Sequence, residues 1–332
     1  MIARLARRLA MSLLVLWGVV TLAFVINFAL PGDPARVVAG PQARPADVAR
    51  IRAQIGLDRP LLVQYAWFLR RLAHLGPAAG APPDKTHASC SAFGRLHVDL
   101  GMSYQQRKPV AKLLGDKLPA SMILASAAML VQLAIGVVGG GVAAMRRGSL
   151  LDRGVVVTTL LGISAPTFLT AIGLQWLFAY RLRILPFDGF GQTFAERAVH
   201  AILPALTLGL FGAAYYTRVV RDEVLVEKDR DYVRTALAKG ASPRGVLVKH
   251  VLRNVAMPLV TIVGLDFGAL LGGAIVTEKI FRWPGLGSLS VDAVVTRDGP
   301  VVMGTVLVAS TAIVLANVVV DASYSLLDPR AR

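Results

Sequence analysis

Apolar residues along this chain gather into almost uncharged runs of about 20 or more, the length a helix needs to cross roughly 30 Å of hydrocarbon. Six such runs stand out, at 9–30, 119–145, 154–180, 198–217, 254–277 and 299–320. Pro166 falls inside the third, which a membrane helix tolerates when its neighbours re-satisfy the backbone. Elsewhere the pattern changes. Residues 45–73 show helix-like spacing at Val48, Ile51 and Ile55, then Leu62, Tyr65, Trp67, Phe68 and Leu72. The tract GPAAGAPP at 76–83 breaks it. After the fourth run and reaching into the start of the fifth lies Asp229–Pro258, a highly charged, helix-patterned stretch. Its first part carries Val233, Ala236, Leu237 and Gly240 along one side, with Arg230, Arg234 and Lys239 on others. It ends at Gly240, and a second helix is predicted to start with Ser242 as N-cap and Pro243 at the first helical position. The first part is too short and polar to cross a membrane. Its narrow apolar edge suits a shallow groove on another protein, the alternative being a helix lying on lipid headgroups.

Composition agrees with the pattern. The 332 residues are 55% hydrophobic and 17% charged, with mean hydropathy +0.59, more apolar surface than a soluble domain can cover. The fold class is an all-α polytopic membrane protein. Arg4, Arg7 and Arg8 precede the first run, which is too long for a signal peptide's apolar region, so it is expected to be an uncleaved first span. Lysine and arginine set the orientation. With the N-terminus inside, the inner segments 1–8, 146–153, 218–253 and 321–332 carry 17 basic residues, and the short outer loops 181–197 and 278–298 carry 6. Segment 31–118 holds 13, but long loops translocate largely regardless of charge. Both termini and 218–253 are thus expected in the cytoplasm, with 31–118 outside. The net charge of +16 is expected to report basic loops held at the cytoplasmic face rather than nucleic-acid binding. A single cysteine, Cys90, excludes an internal disulfide.

Several polar residues fall inside the apolar runs. Asp266 sits near the middle of the fifth, where an ionisable group is expensive and faces a bundle interior or a water-filled path. It is the leading candidate for the translocation path, with Gln132 and Gln175 behind it and Asn317 as interhelical glue. Gly264, Gly268 and Gly272 repeat at four-residue spacing on the same run, and Ala125, Gly136 and Gly140 on the second, so other helices can approach closely. In the outer loop 278–300, Pro284 and Gly285 force a turn beside Phe281 and Trp283. This apolar loop is expected to fold back on the outer mouth as a gate, or to form a short interfacial helix anchored by Trp283. His87, Cys90 and His97 lie close in sequence, but their spacing matches no standard zinc pattern, so a surface loop and no metal site is expected. There is no GxxxxGK[ST] phosphate loop, no HExxH and no GxSxG, and hence no catalytic residue is assigned.

Arg234-Thr235-Ala236, followed after three residues by Gly240, resembles the EAA motif of ABC importer permeases. The version here, DYVRTALAKG followed by HVLRN and Pro258, is similar to that of the dipeptide, oligopeptide and nickel branch, with Arg234 where the general motif has glutamate. LPGDPA at 30–35, GLDRPLLVQY at 56–65, DLGMSY at 99–104, LPAS at 118–121, EKIFRWPGLG at 278–287, RDGP at 297–300 and NVVVDASYSLLDPRAR at 317–332 also resemble that branch, in the same order, while 73–98 looks inserted. The resemblance implies a first span at 1–30, an extracytoplasmic segment at 31–118 and an importer core at 119–332 with a coupling helix at about 229–241. It implies a non-enzymatic permease of a di- or oligopeptide importer, with a homologous second permease, two ATPase subunits carrying ATP and Mg, an outer substrate-binding protein, and membrane lipid around it. Asp231, Tyr232, Thr235, Ala236, Gly240 and Ala241 would couple to the ATPase. The alternatives are a nickel or other small-solute permease, or an ion-coupled transporter using Asp266 as a proton site.

Overall fold

The computed structural model describes residues 2–29, 33–40, 42–76, 89–93 and 95–327. Positions 30–32 of LPGDPA, residues 77–88 with His87, and the last five residues lie outside the described residues. Helix α1 is Ile2–Ala29, followed by short helices α2 (Pro34–Ala39), α3 (Pro45–Gln54) and α4 (Leu61–Leu72). Strands β1 (His74–Leu75), β2 (Cys90–Phe93) and β3 (Leu96–Asp99) come next. Helix α5 (Val110–Met145) leads to α6 (Leu150–Ser164) and α7 (Thr167–Leu174), which widens into a π turn over Gln175–Arg181. Then come α8 (Phe194–Lys228), α9 (Asp231–Ala238) and α10 (Pro243–Val246), the last continued through a π turn into α11 (Leu252–Gly273). Helices α12 (Ile275–Ile280), α13 (Leu286–Val295) and α14 (Gly299–Leu327) complete the order.

Among the described residues, Val110–Met145, Phe194–Lys228, Pro243–Gly272 and Gly299–Val320 are long and apolar enough to cross a membrane, and α1 adds a shorter apolar stretch, Ala10–Ile26. The third expected span, 154–180, is not one straight helix. It breaks between α6 and α7 with a bend of 102°. Pro166 is the cause: it disfavours helical backbone at the residue before it, and Ala165 is extended, at φ −74° and ψ 125°. The described chain also departs from purely helical at 74–99, where the strands form an antiparallel sheet in the order β1-β3-β2.

The chain divides into two compact units, Met1–Pro119 with Gly285–Thr311, and Ala120–Pro284 with Ala312–Arg332. In the first, Phe24 of α1 packs on Tyr65 and Phe68 of α4. Arg71 of α4 holds Asp99 of β3 at 2.9 Å. Burial works to raise the Asp99 carboxyl, but the Gly101 N–H, Ser89 and Arg71 outweigh it and hold it below the usual carboxylate range. An apolar cluster of Val110, Leu113, Leu114, Leu286, Leu289 and Val301 joins the start of α5 to α13 and α14. Two of the sequence motifs meet here: buried Asp298 of RDGP accepts hydrogen bonds from Ser103 Oγ of DLGMSY at 2.5 Å and from the N–H groups of Tyr104 and Gln105 at 3.1 and 3.2 Å.

In the second unit, small residues set the helix spacing, as expected. A Cβ on Gly136 of α5 would stand 2.4 Å from Tyr216 Cβ on α8, and one on Gly140 would stand 2.6 Å from the Thr217 carbonyl oxygen. On α11, Gly264 and Gly268 likewise face Val320 and Ile313 of α14. Replacing Gly136 with Val forces α5 from α8, and overpacking of this kind costs about 1–3 kcal/mol. The expected result is a lower thermal midpoint for the purified chain and less of it in the membrane, measured by fluorescence-detected size exclusion after heating.

Candidate coupling and translocation sites

The segment between α8 and α11 is built by local rules that act in sequence. Helix α8 has 35 residues, about 50 Å at 1.5 Å per residue, so it outruns the hydrocarbon and carries its charged end beyond it. There Glu227 gathers three groups: Tyr232 Oη donates to its Oε2 at 2.6 Å, Asn254 Nδ2 at 3.3 Å, and Arg230 lies 3.5 Å from Oε1. Burial, then the neighbouring carboxylate, pushes the Tyr232 phenol up, so it remains a donor at neutral pH. Val233 is buried, and Tyr232 and Ala236 pack beside it against Val246, Val251 and Val255.

The end of α9 is a complete Schellman motif. The Ala241 N–H reaches the Ala236 carbonyl at 3.2 Å and the Gly240 N–H the Leu237 carbonyl at 2.9 Å. Gly240 has φ +84°, the left-handed backbone a side chain resists. Ser242 then caps α10, accepting from the Gly245 N–H at 3.2 Å, with Pro243 in the first helical position. The tight exit at Gly240 and the start at Ser242 and Pro243 are therefore as the sequence indicated. The apolar side of α9 is not one edge, however. Val233 and Ala236 face the chain's own core, while Leu237 is 44% exposed. The outward surface is made by Asp231, Arg234, Thr235, Leu237, Gly240 and Ala241. Of the apolar edge expected to face a partner, Val233 and Ala236 are thus turned inward and Leu237 stays at the surface, a division that periodicity alone does not show.

Asp266 is not isolated within α11. Its Oδ2 accepts from Gln132 Nε2 of α5 at 2.5 Å and from Tyr216 Oη of α8 at 3.3 Å. Gln132 and Tyr216 are fully buried, whereas Asp266 is half-buried. Gly212 of α8 makes room for this arrangement, since a Cβ there would overlap the Gln132 amide. Three spanning helices thus converge on one carboxylate, with Tyr216 a participant the sequence reading did not include. Gln175 belongs elsewhere: buried in α7's π turn, it donates to the Phe187 carbonyl at 2.9 Å and the Ile280 carbonyl at 3.4 Å.

The outer-loop residues Phe281 and Trp283 are buried, Pro284 is half-buried and Gly285 buried. Trp283 Nε1 donates to the Ala120 carbonyl at 2.9 Å, and its ring meets Phe190 edge-on at 4.8 Å. Ser121 Oγ donates to Glu278 Oε1 at 3.0 Å. The LPAS and EKIFRWPGLG motifs are therefore bound together around buried Glu278, a role that only tertiary structure reveals.

Residues 136–332 match the family described as binding-protein-dependent transport system inner membrane component, and residues 1–125 match its N-terminal family. A Brucella abortus protein named for a peptide transport system permease is 38% identical over 336 residues, covering 100% of this chain and 99% of its own. The glutathione transport system permease protein GsiC of Salmonella paratyphi A is 38% identical over 314 residues, covering 95% and 94%. Among solved structures, an inward-facing form of the MetNI methionine ABC transporter aligns with TM-score 0.52 and 17% identity over 66% of this chain and 98% of that one, a likeness of fold. With a family match over more than half its length and full-length relatives, the chain belongs to the binding-protein-dependent transport system inner membrane components, the multi-pass permeases of ABC importers.

Proposed function

We propose that this chain forms half of the translocation path of a peptide importer and receives the work of ATP hydrolysis through α9. The observation that carries the coupling role is the outward face of a short, Schellman-capped helix, locked to α8 by Glu227 and offered beyond the apolar spans. Its fixed base and exposed Thr235, Leu237 and Gly240 suit the groove of an ATPase subunit, which would carry ATP and Mg. We read α1 as a first span and α6–α7 as a broken third beside the four long apolar helices, and the basic inner loops then favour both termini and α9 in the cytoplasm. A homologous second permease completes the pore, a second ATPase pairs with the first, and an outer binding protein delivers substrate. Short peptides are favoured by the full-length relatives named for peptide and glutathione transport, glutathione being itself a tripeptide.

The test is reconstitution in proteoliposomes with the second permease, both ATPases and the binding protein. Peptide-loaded binding protein is expected to raise ATP hydrolysis several-fold over unloaded protein, with peptide uptake dependent on ATP. Uptake driven by an ion gradient without the ATPases would overturn the reading.

A further inference from the structure

The small sheet brings together three side chains that sequence spacing leaves apart. His74 of β1 pairs with His97 of β3 across the ladder, and Cys90 of β2 pairs with Asp99, two residues along β3 from His97. Directly opposed residues of an antiparallel ladder share a face, as do residues two apart on one strand. His74, His97 and Cys90 therefore lie on one face of the sheet. Their ligand atoms all fall within 4.8 Å of one another, and Cys90 Sγ lies 3.7 Å from His74 Nε2.

We propose that His74, Cys90 and His97 form a binding site for a divalent ion of borderline softness, Zn(II) being the best match. Two imidazoles and a thiolate are the donors zinc takes, with metal–nitrogen and metal–sulfur bonds that place neighbouring tetrahedral ligands about 3.3–3.6 Å apart. The Cys90–His74 separation is already close to that edge length. On binding, the thiol proton leaves to solvent and the ion takes its place between sulfur and nitrogen. The ring orientation is set beforehand. His74 Nδ1 lies 3.1 Å from the Arg71 carbonyl, an acceptor, so Nδ1 carries the proton and Nε2 presents its lone pair toward Cys90. A histidine held through its second nitrogen by a backbone carbonyl is the usual support of a metal ligand. His97 is 5% exposed and is backed by Gly76, where a Cβ would come within 2.8 Å of three ring atoms. Asp99 is already engaged by Arg71 and the Gly101 N–H. The protein thus supplies three ligands, and water completes the tetrahedron. The ion would pin β1 to β2.

Cys90 is the sole cysteine of the chain, so maleimide labelling of this polypeptide, followed on a gel of the purified complex, reads the site directly. Zn(II) is expected to slow labelling at least tenfold, Mg(II) to leave it unchanged, and EDTA to restore it. A His74→Ala, His97→Ala double variant is expected to label at the metal-free rate whether or not Zn(II) is added. Co(II) added to the wild-type complex should give a thiolate-to-cobalt charge-transfer band that Cys90→Ser lacks. Labelling indifferent to Zn(II), or equal protection in the double variant, would overturn the assignment without reference to transport.

Discussion

Replacing Gly240 with Trp is expected to abolish ATP-driven uptake while leaving the chain in the membrane at its normal level. Gly240 has φ +84°, so any side chain there meets left-handed strain of about 1–2 kcal/mol. That is small against a total stability of about 5–15 kcal/mol. A Cβ at this position meets nothing within 4 Å in the chain itself, so a side chain there starts into open space. Gly240 is exposed together with Thr235, Leu237 and Ala241, on the surface where a docked ATPase would lie. Gly240→Ala introduces the same strain with little bulk and serves as the control, expected to retain most uptake. Membrane level is read by immunoblot, uptake with labelled peptide, and ATPase association by co-purification. Normal uptake by the Trp variant would sink the docking role.

Asp266→Ala is expected to lower uptake at least tenfold and to destabilise the chain. The substitution removes the acceptor shared by Gln132 and Tyr216, and a buried donor left unsatisfied costs about 1–3 kcal/mol. Gln132 would retain the thioether of Met129 at 3.1 Å, a weak acceptor. Asp266→Asn separates the two roles, because it preserves an acceptor oxygen and the packing while removing the charge. If the charge serves the path, uptake by the Asn variant falls at an unchanged thermal midpoint. If the carboxylate is only a structural acceptor, the Asn variant transports every substrate normally, and the translocation role is lost.

The parts of this molecule that follow from neighbouring residues were legible in the sequence. Ser242, Pro243 and Gly240 mark helix ends by rules that act over a few positions, and each sits as those rules require. The glycine spacing of α5 and α11 likewise announced close helix contacts. Pro166 was harder to read, because in a spanning helix it can be absorbed as a kink or can end the helix, and only the packing of α7 on α8 and α12 decides. What could not be read were pairings across long stretches of chain. Asp298 meets Ser103 over 195 positions and Glu278 meets Ser121 over 157. Both acids lie in motifs whose order was visible, but the motifs do not say which of them touch. His74 was overlooked for the same reason: it lies just past the helix-patterned stretch 45–73, and only strand pairing carries it to Cys90 and His97.

The length of α8 has a mechanical consequence. Tyr216 and Glu227 stand on one uninterrupted helix, eleven residues apart, which is about 16 Å of axis. A rigid rod of that length needs no relay of side chains to carry a signal. If a tug on α9 tilts α8 by about 10° about its Glu227 end, the geometry of the rod displaces Tyr216 sideways by about 3 Å. Its hydroxyl is held to Asp266 by a single bond of 3.3 Å, so a swing of that size suffices to break it. If α9 couples to an ATPase as proposed, this lever arm would trade one partner of the half-buried carboxylate for water.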